Sequence, residues 1–228
     1  MKFVRVTIES TVFGLLSLMA TMVVTGSDLV GPTPIIESTT SRIMAIVDEA
    51  PEYFDTNSDR FYNEIGAVLD ETIDWRGFAK GVMGEYASNA RYRSLDDEGR
   101  KALREQLQSF TDIMKTGLIR TYAKGLLAFS GSKFEIIDEE AINPNARSAS
   151  ITQLVYGSGN RTYTVRYQLG RSRDGRWRLR NLIVADVNLG QIYQNQFAAA
   201  AKSADGDVAK VVAEWDISAN LPEDLDSE

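Results

Sequence analysis

Ser130 and Lys133 stand three residues apart, the spacing at which a lysine amine can act as base for a serine nucleophile. The match is one of spacing alone, because "SGSK" reads as a turn between two periodic segments. The other groups able to move protons are carboxylates. Asp74 and Glu85 lie eleven residues apart, roughly three helical turns, and could share one side of a helix. Asp138, Glu139 and Glu140 form a charge run that reads as a solvated loop. "GSGNRT", from Gly157, lacks the third glycine and the lysine of a phosphate loop, and it joins two strand patterns.

The chain has 228 residues and contains neither His nor Cys. That removes the usual general base, the commonest zinc ligand, every Ser-His-Asp or Cys-His arrangement and any disulfide. Carboxylates are what remains for acid–base work, and no pair of them has a spacing that specifies a reaction. The expectation is therefore a protein that is not an enzyme, with no catalytic residue, no metal and no cofactor. A formal net charge of −7 argues against nucleic acid as a partner, since phosphates require clustered Lys and Arg.

The elements that would position these residues follow from periodicity. Lys2 and Arg5 precede an apolar run, Val12 to Val24, of signal-peptide length, with small residues Val24 and Gly26 before a mature start near Ser27. Residues 1–26 are thus expected to be a cleaved export signal; an uncleaved membrane anchor is the other reading. Residues 27–34 read as a linker, 35–217 as one domain and 218–228 as an acidic tail.

Within the domain, a helix is predicted from Pro34 to about Glu49, and a second, capped by Ser58 or Asp59, carries Phe61, Ile65, Val68 and Leu69. Asp74 can cap a third, running to about Ala90, in which Gly77, Gly81 and Gly84 need either close packing or space for something bulky. A long helix opens at Ser94, with Leu103, Leu107, Phe110, Met114, Leu118 and Tyr122 on one stripe. The period then changes to two. Strands are predicted around Phe134 and Ile136, over Ser150 to Tyr156, through "RTYTVRYQL", and from Trp177 to Val187 after the hairpin signal Asp174-Gly175. Two helical stretches close the chain. The fold class is α+β: N-terminal helices, a four-stranded antiparallel curved sheet and two C-terminal helices packed on it. In the last strand Arg178 and Arg180 mark a wet face that turns apolar at Leu182 and Val184; the returning helix is expected to cover it, with Asp186 as a turn or helix-start residue.

"WRLRNLIVADVNLGQIYQNQF", "FAKGVMGEYASNA" and "LREQLQSFTDIMKTGLIRTYAKGL" each resemble a segment of the MlaC / toluene-tolerance family, and the order of the three along the chain matches as well. The shared features are a Trp-bearing strand leading into a Tyr, Gln and Phe helix, an aromatic after Leu/Met-Gly, and an aromatic stripe on a long helix. The resemblance covers roughly residues 40–216. It departs at Asp186, which Val187 and Asn188 follow directly, and in the acidic tail.

The resemblance implies a periplasmic phospholipid carrier working between an outer-membrane lipoprotein complex and an inner-membrane ABC transporter complex. It also implies an apolar cavity between sheet and helices. The residues placed to line such a cavity are Val82, Met83, Tyr86, Met114, Leu118, Tyr122, Val165, Tyr167, Ile183 and Val187; ordinary core packing is the competing reading for each. A periplasmic adaptor or peptide-binding protein without lipid is the alternative function.

Overall fold

A computed structural model describes residues 31–138, 145–157 and 161–217. The candidate signal peptide, residues 27–30 of the linker, Glu139, Glu140 and the acidic tail lie outside the described residues.

Helix α1 (Pro32–Glu49) starts two residues before its expected start, with Gly31 extended as its N-cap and Pro32 in the first turn. Proline suits that turn because the N–H it lacks would have no intrahelical acceptor. Helix α2 (Ser58–Thr72) is capped by Asn57, whose side chain accepts from the Arg60 N–H, one residue ahead of the expected caps. Helix α3 (Trp75–Met83) begins as predicted, with the Asp74 carboxylate accepting from the Gly77 N–H. It does not run to residue 90: Gly84, at φ +56, ends it. A 3-10 turn (Gly84–Ala87) and a short helix α4 (Asn89–Ser94) follow. Gly77 is explained by its neighbour, since a Cβ there would collide with the Asp74 carboxylate, whereas Gly81 faces open space. Helix α5 (Asp97–Tyr122) takes Asp96 as its cap instead of Ser94 and continues as a 3-10 segment, Ala123–Phe129.

Five strands form an antiparallel meander in chain order: β1 (Lys133–Asp138), β2 (Ser148–Tyr156), β3 (Thr162–Arg171), β4 (Trp177–Val184) and β5 (Val187–Asn188). Helices α6 (Leu189–Ser203) and α7 (Val208–Ala213) complete the described chain.

The apolar turn of β4 has a different cause from the expected one. Leu169 pairs with Leu179 and Gln168 with Asn181, so Arg180 is an extra residue with no partner of its own. A bulge of this kind shifts the strand's alternation by one. Trp177 and Leu179 before it, and Leu182 and Val184 after it, therefore share one face with Val165, Tyr167 and Leu169. No wet face is lost. Ile183, expected on the inner face, pairs with Arg166 and stands on the outer one. Arg180 reaches from the bulge to the Asp74 carboxylate at 3.2 Å, tying the start of α3 to the sheet.

The last strand also ends early. Ala185 and Asp186 both have positive φ, 47° and 68°, and form a two-residue hairpin between β4 and β5. Two central residues at positive φ match the twist of the flanking strands but disfavour any residue with a Cβ. Ala185→Gly is accordingly expected to stabilise the protein by about 0.5–1 kcal/mol, read as a raised urea midpoint at unchanged slope.

Three clusters of buried side chains hold these elements. The largest joins α3, α5, α6 and α7 through Val82, Met83, Phe110, Met114, Tyr193, Phe197 and Val211. A second joins α1 and α2 to the end of α5 through Val47, Phe61, Ile65 and Ile119. The third seats one end of the sheet on α1: Ile36 against Ile151, Leu169, Trp177 and Leu179.

Candidate functional site

The sheet's inner face is not covered evenly. At the end held by α1, Ile151, Leu169, Trp177 and Leu179 are all buried in one cluster. Toward the middle, Gln153, Val155 and Val165 are buried as well, yet they belong to none of the three clusters. Around them Phe134, Ile136, Tyr163, Leu182, Val184 and Val187 are only half-buried. On the helical side, Leu118, Tyr122, Leu126 and Phe129 are half-buried in the same way. The 3-10 segment reaches the sheet through Phe129, whose ring meets Tyr163 edge-on at 5.6 Å between centroids.

A groove with a volume of about 510 Å³ runs between α1 and the first two strands. Its helical wall is Glu37, Thr40, Ser41, Met44, Ala45 and Asp48, and its sheet wall is Ser132, Phe134, Ile136 and Gln153. Gln153 forms the floor, 2% exposed, and is in register with Val165 on the next strand. Its carbonyl accepts from the Tyr167 hydroxyl at 2.8 Å, and Thr40 reaches the same amide. A buried amide without partners would cost the fold, so this small network keeps a polar group stable beneath Phe134 and Ile136. Burial pushes the Tyr167 hydroxyl well above its ordinary pKa. A second, smaller space of about 270 Å³ lies between the end of α3 and α6, lined by Val82, Met83, Gly84, Glu85, Tyr86, Gln194, Asn195 and Ala198.

The ten residues expected to line a cavity are dispersed by this arrangement. Val82, Met83 and Tyr86 border the smaller space, but Val82 and Met83 are also packed in the helical cluster. Met114 is fully buried in that cluster, and Leu118 packs on its edge. Val165 and Tyr167 lie on the inner face beside Gln153, Val187 lies on that face through its pairing with Val184, and Ile183 is on the opposite face. The Tyr122 hydroxyl meets the Tyr193 hydroxyl at 2.8 Å. Tyr193 is fully buried, and burial, reinforced by that bond, raises its pKa.

Sequence reasoning missed the groove's helical wall. Glu37, Thr40, Ser41, Met44 and Asp48 form one helical stripe of mixed polarity, which carries no hydrophobic signal. The signal available was the loose fit of Ile36, Ile43, Ile46 and Val47 to a single face, which leaves the remainder of α1 free to border something other than core.

The groups considered for chemistry are used structurally. Ser130 donates to Asp48 at 2.7 Å, and Lys133 pairs with Glu135 at 3.4 Å. Asp74 is committed to its cap and to Arg180, while Glu85 is exposed past the end of α3. Among the described residues, no group of three Asp or Glu side chains is placed to hold a metal ion.

Comparison with known proteins bears on the whole of this architecture. The family model described as "MlaC protein" matches residues 37–216. The toluene tolerance protein ttg2D of Pseudomonas putida is 27% identical over 202 residues, spanning 89% of this chain and 87% of its own. The fold is shared with a phospholipid-binding protein from Ralstonia solanacearum, solved in complex with a phospholipid. The TM-score is 0.66 at 18% identity, over 82% of this chain and 94% of that one.

Proposed function

Since the chain belongs to the MlaC protein family, we propose that it is a periplasmic phospholipid carrier that shelters acyl tails between the inner face of its sheet and its helices. The observation that carries this reading is the uneven covering of that face. Val155 and Val165 sit outside every core cluster, and a groove of about 510 Å³ ends on the neighbouring Gln153. The volume falls in the range of roughly 300–1,000 Å³ usual for small-molecule sites. The solved relative that shares the fold holds a phospholipid, which supports the same reading.

Energetics explain why such a protein needs no reactive site. Two acyl tails expose about 30 methylenes, and at roughly 0.8 kcal/mol each their transfer through water costs about 24 kcal/mol. A hydrogen bond to a charged headgroup returns only about 1.5–3 kcal/mol. Enclosure of the tails therefore dominates affinity, and discrimination between headgroups is weak. A carrier of this kind equilibrates lipid between donor and acceptor, so direction is supplied by its partners: an inner-membrane ABC transporter complex on one side and an outer-membrane lipoprotein complex on the other. Export by a cleaved signal at residues 1–26 fits the same setting.

Organic extraction of the chain purified from the periplasm, with native mass spectrometry of the intact protein, tests the reading. The expected result is a co-purifying phospholipid of mixed headgroup at about one per chain. A protein that purifies without lipid and takes none up from vesicles is instead the adaptor.

A further inference from the structure

Several arginines and lysines of the helical layer and sheet are neutralised by a carboxylate: Arg42 by Glu71, Arg60 by Glu49 and Glu64, Lys115 by Asp70, Arg120 by Asp59, Arg180 by Asp74. The surface shared by α3, α4 and α5 is built differently. Residues 76–104 hold seven cations against four carboxylates in a chain of net charge −7. Three of those cations are held by neutral acceptors. Lys80 donates to the Asn89 side-chain oxygen at 2.7 Å, Arg104 to the Tyr92 hydroxyl at 2.7 Å and Arg76 to the Gln108 side-chain oxygen at 3.4 Å. Arg76 and Lys80 are one turn apart on α3, Arg104 and Gln108 one turn apart on α5, and Asn89 and Tyr92 share a face of α4. The three bonds therefore join three helices into one patch. Of the nearby carboxylates, Asp96 caps α5, Asp97 pairs with Arg100 and Glu105 with Lys101, while Glu85 and Glu98 are exposed. Among the described residues, none is within ion-pair distance of Arg76, Lys80 or Arg104. The three cations are held in place by neutral partners, with no carboxylate paired to them.

We propose that this three-helix patch is a docking surface for an acidic patch on a partner protein. Charge of one sign, fixed in place before contact, meets an opposite patch without paying to order it. Arginine and tyrosine are the side chains that protein interfaces favour. A membrane surface is less well matched, because insertion needs exposed apolar side chains. Tyr92 is the one exposed large hydrophobic in the patch, and its hydroxyl is already bound to Arg104.

The test uses the full chain and a fluorescently labelled peptide of alternating Glu and Ser. Binding is expected to weaken as salt rises and to fall about tenfold or more in the triple variant Arg76→Gln, Lys80→Gln, Arg104→Gln. It is expected to persist when the two arginines become lysine. A control that neutralises three cations elsewhere, Arg173, Lys202 and Lys210, is expected to bind as the wild type does. Equal loss in the control, or no loss in the triple variant, overturns the proposal. So does retention of the chain by anionic vesicles, lost in the triple variant, in the absence of peptide binding. Circular dichroism of each variant establishes that the fold is intact, which these solvent-facing positions permit.

Discussion

Val165→Trp is expected to lower affinity for phospholipid about a hundredfold while leaving global stability nearly unchanged. Val165 lies at the middle of the inner face, 9% exposed, between Gln153 on β2 and Val184 on β4. An indole there would displace about four methylenes of a bound tail, at roughly 0.8 kcal/mol each. The sum of about 3 kcal/mol corresponds to more than a hundredfold in a dissociation constant. Stability reports on the other half of the argument. In a filled interior the extra atoms force strain of about 1–3 kcal/mol; in a gap meant for a guest they find room. Val211→Trp, in the packed helical cluster, is expected to show the reverse pattern, with stability lost and lipid retained. Lipid transfer from labelled vesicles and urea unfolding of the same preparations measure both quantities. If Val165→Trp destabilises the chain and still carries lipid, the middle of the sheet is ordinary core and the tails lie elsewhere.

The order of elements was legible because it rests on strong local signals. Asp74 is an N-cap followed by a helical pattern, Asp174-Gly175 sits between two alternating runs, and Gln and Asn after β4 are spaced as a helix. What misled was alternation taken as unbroken. A bulge leaves no mark in the residue types themselves: Arg180 looks like one more wet position, and only its pairing shows it to be surplus. That one residue reverses the faces of Leu182, Ile183 and Val184, and with them the placement of Ile183 in a lining. The hairpin was half legible: Asp186 is a turn residue as expected, but the strand was expected to run on through Ala185 to Val187. Neither residue is a glycine, so the backbone conformation is imposed by the flanking strands and not announced by composition.

The site was less legible than the fold, and the reason is physical. A cavity wall and a core share one hydrophobic vocabulary. Met114 and Leu118 lie a turn apart on α5, yet Met114 is sealed among helices while Leu118 is at the cluster's edge. No property of either side chain distinguishes them; only what packs over each in the fold does. The groove beside α1 is walled by Thr, Ser, Met and acidic residues, and such a stripe reads as an ordinary exposed face.

Phe197→Ala is expected to cost about 3–5 kcal/mol of folding stability. Phe197 is fully buried, and its ring lies 5.0 Å from Phe110, 5.6 Å from Trp215 and 5.9 Å from Tyr86 between centroids. Those partners come from α5, from the segment after α7 and from the turn after α3, so one side chain joins four parts of the helical layer. Tilted and edge-on ring pairs add to the area buried, and the close-packed surroundings limit how far a cavity can collapse. Domains of this kind have about 5–15 kcal/mol in all, so the alanine variant stands near the edge of folding. Phe197→Leu, which keeps most of the volume, is expected to lose less than half as much and to remain measurable. Urea unfolding followed by tryptophan fluorescence reads both, since Trp215 lies against the ring. A loss below about 1 kcal/mol for the alanine variant would mean that α6 is not anchored through Phe197. The helix would then be anchored through Tyr193 and Ala201, its other fully buried side chains in that cluster.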